Sequence, residues 1–221
     1  LPILSQLQNV IINTNPLFVT IGNPDLNQTY TNSLRMAIQY NNTDKNRSFS
    51  NFSRVSHSLN YITDQTLVMR SDSLTASGIL LERGVQLITM VNLDGYWQVQ
   101  NNSTYSFAIK PIKNNVNLSA NLGYSRIPGL TNNQTNYSNA YSAALKVGLT
   151  SSISEKIDYN VYYELNGTEV LNSVQGENTN QYSTQTVATE LSLTFKKDIV
   201  FRSDTYFQKY NGASDSFNSI Y

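Results

Sequence analysis

Apolar and polar residues take turns, one for one, along most of this 221-residue chain. In a β-strand successive side chains point to opposite faces, so strict alternation makes a strand with one apolar and one polar side. A helix repeats every 3.6 residues and cannot produce it. Eight segments carry the pattern. The first sets Leu34, Met36, Ile38 and Tyr40 against Ser33, Arg35, Ala37 and Gln39. The second, weaker, sets Val55, His57, Leu59 and Tyr61 against Arg54, Ser56, Ser58 and Asn60. The third runs as one strand from Leu87 to Ile109, with Val91, Trp97, Val99, Tyr105 and Phe107 opposite Asp94, Gln98, Gln100 and Asn102. The fourth is the cleanest: Val116, Leu118, Ala120, Leu122 and Tyr124 against Asn117, Ser119, Asn121, Gly123 and Ser125. The fifth (Tyr141 to Thr150), sixth (Ile157 to Asn166) and seventh (Val187 to Phe195) repeat it, and the eighth, Ile199 to Tyr210, is mixed. Asn101 and Ser103 break the rule, being polar on the apolar side of the third segment, and the pattern offers no account of them.

The connections add a second rhythm. Lys110 to Asn115, Ser152 to Glu155 and Lys196 to Asp198 read as short turns, and Asn41 to Ser48 as a link of intermediate length. Arg70 to Val85, Arg126 to Asn136 and Gly167 to Gln181 read as long polar loops. Short turns at one end and long loops at the other are the build of outer-membrane barrels, with the turns in the periplasm.

A soluble sandwich also has strands with one apolar face, so alternation alone leaves that fold open. Three features favour lipid. Several segments exceed ten residues, whereas strands in soluble domains run about 5–6 and spanning strands about 9–11. In the third to seventh segments every charge within the alternating core is on the polar side, as expected when a charge at mid-membrane costs ~2–4 kcal/mol. Tyr and Phe gather near segment ends, as Tyr105, Phe107 and Phe195 do, where an aromatic girdle would sit. Composition agrees: 14% of residues are charged, and aromatics include 15 Tyr against 8 Phe and 1 Trp. The formal charge is zero, which argues against a nucleic-acid partner. The absence of cysteine removes disulfides, thiol nucleophiles and zinc–thiolate sites. No apolar run approaches the roughly 20 residues of a spanning helix. The expected fold is therefore all-β, an antiparallel transmembrane β-barrel wall of about eight long strands.

The opening carries Asn15-Pro16-Leu17-Phe18-Val19, Gly22-Asn23-Pro24-Asp25-Leu26 and Tyr30-Thr31-Asn32-Ser33-Leu34. These resemble the barrel portion of TonB-dependent receptors, especially the outer-membrane protein β-barrel family of Bacteroidetes, where a Gly-Asn-Pro-x-Leu loop leads into a descending strand. The Lys-Pro-Glu usual after it is Asn27-Gln28-Thr29 here. Gly123-Tyr124-Ser125-Arg126, Ser154-Glu155-Lys156-Ile157-Asp158 and the tail from Tyr210 to Asn218 are similar to that family as well, so the likeness runs in order along nearly the whole chain. The resemblance implies that residues 1–221 are the C-terminal part of a plugged barrel of the 22-stranded kind. Plug, export signal and last strands would lie outside this stretch, and Tyr221 would end a cut loop. It also implies energised uptake of a nutrient at the bacterial outer membrane. The partners would be outer-membrane lipid, a plug domain, a TonB-type energising protein and a surface lipoprotein. A non-transporting barrel, acting as adhesin, assembly or secretion partner, is the alternative.

Catalytic chemistry finds little footing. His57 is the only histidine, which rules out a triad or multi-histidine metal site built from this stretch alone. It reads as a strand residue near an interface. Asp158, Glu164 and Glu190 lie on the polar side, where pairing with Lys146 or Arg202 is the expected use. Asp64, Asp72 and Asp94 lack the spacing of a calcium loop. The Asn-x-Ser/Thr triplets at Asn27, Asn133 and Asn166 are expected by chance in so Asn-rich a chain. No catalytic, cofactor or metal residue is therefore assigned. The ligand-contacting residues stay unknown, with the Arg70 to Val85 and Gly167 to Gln181 loops as candidates by position. A wall fragment with two open edges is expected to aggregate when isolated.

Overall fold

The computed structural model describes residues 1–74, 80–151, 156–174, 180–195, 199–212 and 219–220. Besides one helical turn, α1 (Leu4–Leu7), and a 3-10 turn at Lys110–Ile112, its regular structure is strand. The first strands are β1 (Ile11–Asn15), β2 (Phe18–Ile21), β3 (Tyr30–Asn42), β4 (Arg47–Leu59) and β5 (Tyr61–Val68). Two-residue strands β6 (Ser73–Leu74) and β7 (Leu80–Leu81) precede β8 (Gln86–Leu93) and β9 (Tyr96–Ile109). A meander follows of β10 (Asn114–Thr131), β11 (Gln134–Ser151), β12 (Ile157–Asn172), β13 (Asn180–Phe195) and β14 (Ile199–Asn211), with β15 (Ser219–Ile220) at its edge.

Eight long strands form one antiparallel wall in the order β3-β4-β9-β10-β11-β12-β13-β14. Register keeps the two faces of the alternation separate across it. One row reads Met36, Ser53, Asn101, Leu122, Ala143; another, on the opposite face, reads Gln39, Ser50, Thr104, Ser119, Lys146, Glu164, Thr186, Gln208. Leu122, Leu145 and Val147 on the apolar face remain 50%, 46% and 53% exposed, so among the described residues neither a second sheet nor a helix layer packs on them. That excludes the sandwich reading, which needs a covered apolar face. The sheet is not closed: among the described residues β3 pairs only with β4, and β14 meets β15 at just two rungs beyond β13.

Sequence and structure part at the outer end. The third segment is not one strand but two, β8 and β9, broken at Asp94-Gly95, just as β4 and β5 are broken at Asn60. The pairing register nevertheless runs straight through, from Ser58 opposite Tyr96 to Tyr61 opposite Leu93. β4-β5 and β8-β9 are thus one long hairpin with a bend in both arms. Above the bend its arms change places. The lower order is β3-β4-β9-β10, and the upper order is β2-β8-β5-β10. Exchanging the two central strands of an antiparallel set leaves like directions side by side. This accounts for the two parallel pairings among the described residues, β2 with β8 and β5 with β10. The upper storey has its own small core of Val19, Leu81 and Val85, with Ile11, Ile21, Met69 and Leu87 packed around it.

The expected loop from Arg126 to Asn136 is instead strand. β10 runs to Thr131, and a two-residue turn at Asn132-Asn133 (φ 48° and 63°) starts β11 at Gln134. Positive φ at both central residues is the type I′ hairpin geometry, which Asn tolerates. The Gly167 to Gln181 loop is shortened likewise, since β12 continues to Asn172 and β13 starts at Asn180. The Arg70 to Val85 connection carries the β6–β7 pair. Thr43–Asn46 forms the turn expected between the first two wall strands. The short turns read at Ser152 to Glu155 and Lys196 to Asp198 lie outside the described residues.

Candidate functional site

The crossing of the hairpin is densely hydrogen-bonded. Asn60 adopts φ 51° and Gly95 φ 100°, so both arms turn through left-handed backbone at facing positions. Asp94 Oδ1 accepts the Asn60 N–H at 2.8 Å. Asn92 then ties three chain segments together. Its amide donates to the Asn27 and Asn60 carbonyls (3.0 and 2.8 Å), and its Oδ1 accepts the Asn27 N–H (2.7 Å). Thr29 Oγ1 donates to the same Asn60 carbonyl, and Asn23 Nδ2 to the Met90 carbonyl, each at 2.9 Å. The Gly-Asn-Pro-Asp-Leu segment is therefore a strap laid across β8. A Cβ on Gly22 would collide with the Gln8 and Gln6 carbonyls, which explains that glycine. Tyr61 stacks on Tyr96, ring centroids 4.3 Å apart. Burial, then the neighbouring Tyr96 and Asp64, pushes the Tyr61 phenol above its ordinary range.

The upper hairpin is latched to the β10–β11 turn. Thr63 Oγ1 donates to the Pro128 carbonyl at 2.8 Å, and Gln65 Nε2 to Asn133 Oδ1 at 3.0 Å. Asn132 accepts the Val68 N–H on its side chain and donates its own N–H to the Thr66 carbonyl, both at 2.9 Å. The sign of this break was present in the sequence: Asn60 and Asp94-Gly95 are turn-forming residues inside otherwise alternating runs.

On the polar face amides and hydroxyls dominate. Asn117 accepts from Ser106 at 2.7 Å and donates to Thr150 at 3.0 Å; Ser50 and Thr104 share a 2.7 Å bond. Of the expected charge pairs, Lys146 meets Glu164 at 3.8 Å and lies 3.5 Å over the Tyr162 ring. Both side chains stay at least 30% exposed, so the pair contributes little in water. Glu190 accepts from Asn160 at 3.2 Å. Arg202 shares a shallow depression with Asp158, Glu190 and Asp204.

The apolar face carries two aromatic belts. Tyr105 and Phe107 lie at the turn end, 5.5 Å apart; His57 with Trp97 (4.3 Å) and Tyr124 with Tyr141 (5.1 Å) lie towards the crossing. Tyr105 and Trp97 are eight residues apart on β9. At ~3.3 Å per residue and a tilt of ~40°, that is a height of roughly 20 Å, close to the ~25 Å apolar band of outer-membrane barrels. Midway between the belts sit Asn101 and Ser103, now explained. Asn51 donates to Ser103 (2.8 Å), Ser103 to Asn101 (3.0 Å), Asn101 to Ser53 (2.9 Å), and Ser53 back to Asn51 (3.0 Å). This four-membered ring satisfies its own hydroxyls and carbonyls, as hydrocarbon demands.

The remaining residues singled out from sequence have local partners. His57 stacks on Trp97 in the upper belt. Asp72 Oδ1 accepts the Arg83 N–H at 2.9 Å, and Asn166 donates to Glu164 at 3.0 Å. Among the described residues no three His, Cys, Asp or Glu side chains gather as a metal site. No helix among them is long and apolar enough to cross a membrane.

β10 and β11 are 18 residues each. Lipid needs about 9–11, so their outer ends, with the crossing, stand clear of it. Comparison with known proteins agrees with this geometry. The model of the outer membrane protein beta-barrel family matches residues 1–220. No curated protein and no solved structure matches the chain. Long girdled strands, one bare apolar face and that full-length match place the chain in the bacterial outer membrane, as a member of the outer membrane protein β-barrel family.

Proposed function

We propose that this wall belongs to a TonB-dependent receptor that takes up a nutrient ligand with energy from the inner membrane. The observation that carries the reading is the open wall. Among the described residues the eight-stranded wall leaves the far edge of β3 unpaired and the far edge of β14 paired at only two rungs, and such edges call for further strands. A barrel of about 22 strands has a lumen wide enough to need a plug. The neutral, amide-rich polar face would line that lumen and contact the plug, and the resemblance of the opening segments to such receptors supports the same reading. A TonB-type protein and a surface lipoprotein would be its partners.

A second reading, a non-transporting surface barrel, is favoured by the packed and latched upper storey, which offers a firm outer surface for adhesion. Conductance separates the two. The full-length protein in a planar bilayer is expected to be closed, to open on removal of an upstream plug, and to be cross-linked to a TonB-type protein in cells. A full-length chain without a plug, conducting steadily on its own, would remove the transport reading.

A further inference from the structure

The upper aromatic belt holds a row of hydrogen-bond donors with no acceptor among the described residues. Trp97, Arg126 and Asn139 stand directly opposite one another on β9, β10 and β11, on the face shared with Leu122. Arg126 holds its guanidinium carbon 3.9 Å from the Tyr137 ring centroid, a contact that takes up none of its N–H groups. Among the described residues it has no carboxylate within 4.0 Å, whereas Lys146 on the polar face does. Asn139 accepts the Tyr124 hydroxyl on its oxygen at 2.9 Å, so its amide N–H groups are the free end. Neither they nor the Trp97 indole N–H have a partner among the described residues. Trp97 is itself steadied by His57 behind it. Glu169 is the nearest acid on this face along the strands, opposite Tyr141 on β12.

Free donors and a fixed cation on the lipid side of a wall call for an anionic acceptor that is itself part of the membrane. We propose that Trp97, Arg126 and Asn139 form a binding site for the phosphate of a lipid headgroup in the outer leaflet. The height is right, because aromatic belts mark the level where hydrocarbon gives way to headgroups. The chemistry is right as well: guanidinium-to-phosphate bonds are charge-assisted and two-pronged. This site is independent of whether the barrel transports anything.

The test uses the full-length protein in detergent, with native mass spectrometry counting bound phosphorylated lipid A and, separately, its dephosphorylated form. The wild type is expected to prefer the phosphorylated lipid about tenfold, with the preference weakening as salt rises. Arg126→Gln is expected to abolish most of that preference and Trp97→Phe to reduce it a few-fold. Arg202→Gln, the same charge change on the polar face, is expected to leave it intact. Equal binding of both lipids, a salt-independent preference in the wild type, or an Arg126→Gln protein that still discriminates would overturn the proposal. So would displacement of the lipid by an equal concentration of inorganic phosphate, which would mark a site for a soluble anion. The wild-type salt titration decides the matter even if a variant does not fold.

Discussion

Tyr137 lays its ring against Gly95: a Cβ built on Gly95 would stand 3.1 Å from Tyr137 Cε1. The two residues belong to β11 and to the bend between β8 and β9, with the fully buried Pro128 of β10 between them as Tyr137's cross-strand partner. The tyrosine therefore closes the gap left where β9 departs from β10 after Arg126.

Gly95→Ala should loosen the crossing. The added methyl meets Tyr137 and must also adopt φ 100°, so the cost should be ~1–3 kcal/mol. Gly84→Ala is the control, with φ 92° but open space around its Cβ. Limited proteolysis of the full-length protein should nick the upper hairpin faster in Gly95→Ala than in Gly84→Ala. Equal rates would mean that backbone strain alone matters there.

The ring of Asn51, Ser53, Asn101 and Ser103 should be far more sensitive to partial than to complete removal. Asn101→Ala leaves Ser53 without its donor and Ser103 without its acceptor, at a cost of ~1–3 kcal/mol. Replacing all four by apolar residues of similar size should be near neutral. Urea unfolding of the barrel in lipid checks both, and a quadruple variant less stable than the single one would refute the closed-ring account.

Neighbours on β11 should respond in opposite ways. Lys146→Met removes a pair that is 40% and 30% exposed, and should change stability by less than ~1 kcal/mol. Leu145→Lys puts a charge on the girdled face and should cost ~2–4 kcal/mol. Matched unfolding titrations in lipid vesicles give the comparison, and similar losses would mean the faces have been assigned the wrong way round.

Asn132→Gly should keep the turn but weaken the latch. Glycine accepts φ 48° easily, yet the Val68 N–H loses its side-chain acceptor. Hydrogen exchange should quicken at Val68 and its neighbours in β5, while the β10–β11 ladder stays protected. Loss of protection along β10 as well would show that the latch and the wall are one cooperative unit.

The wall was legible from sequence because period two is a direct property of strand geometry, and because Leu118, Leu122 and Leu145 face a solvent that tolerates no charge. The exchange of hairpin arms was not. A strand reads the same whichever neighbour it has, and register continues from β4–β9 into β5–β8 without a slip. Arg126 to Asn136 reads as a loop because it is long and polar, and it carries the turn-favouring Pro128, Gly129 and Asn132-Asn133. Pro128 lies past the last rung with β9, and strands laddered on one side admit proline. Asn101 and Ser103 looked anomalous because their partners, Asn51 and Ser53, are about fifty positions away, and no local pattern records a ring closed across two strands.

The uninterrupted register of the long hairpin ties its two storeys to a common count of residues. One residue added to β4 would shift that arm by one step at every rung above it. Side chains such as Val55 would leave the membrane-facing surface at the same moment as Gln65 lost its seat beside Asn133. Relatives of this chain should therefore vary in length at the hairpin's tip, beyond Val68 and before Gln86. Along the arms they should keep a fixed span or change both by matching amounts.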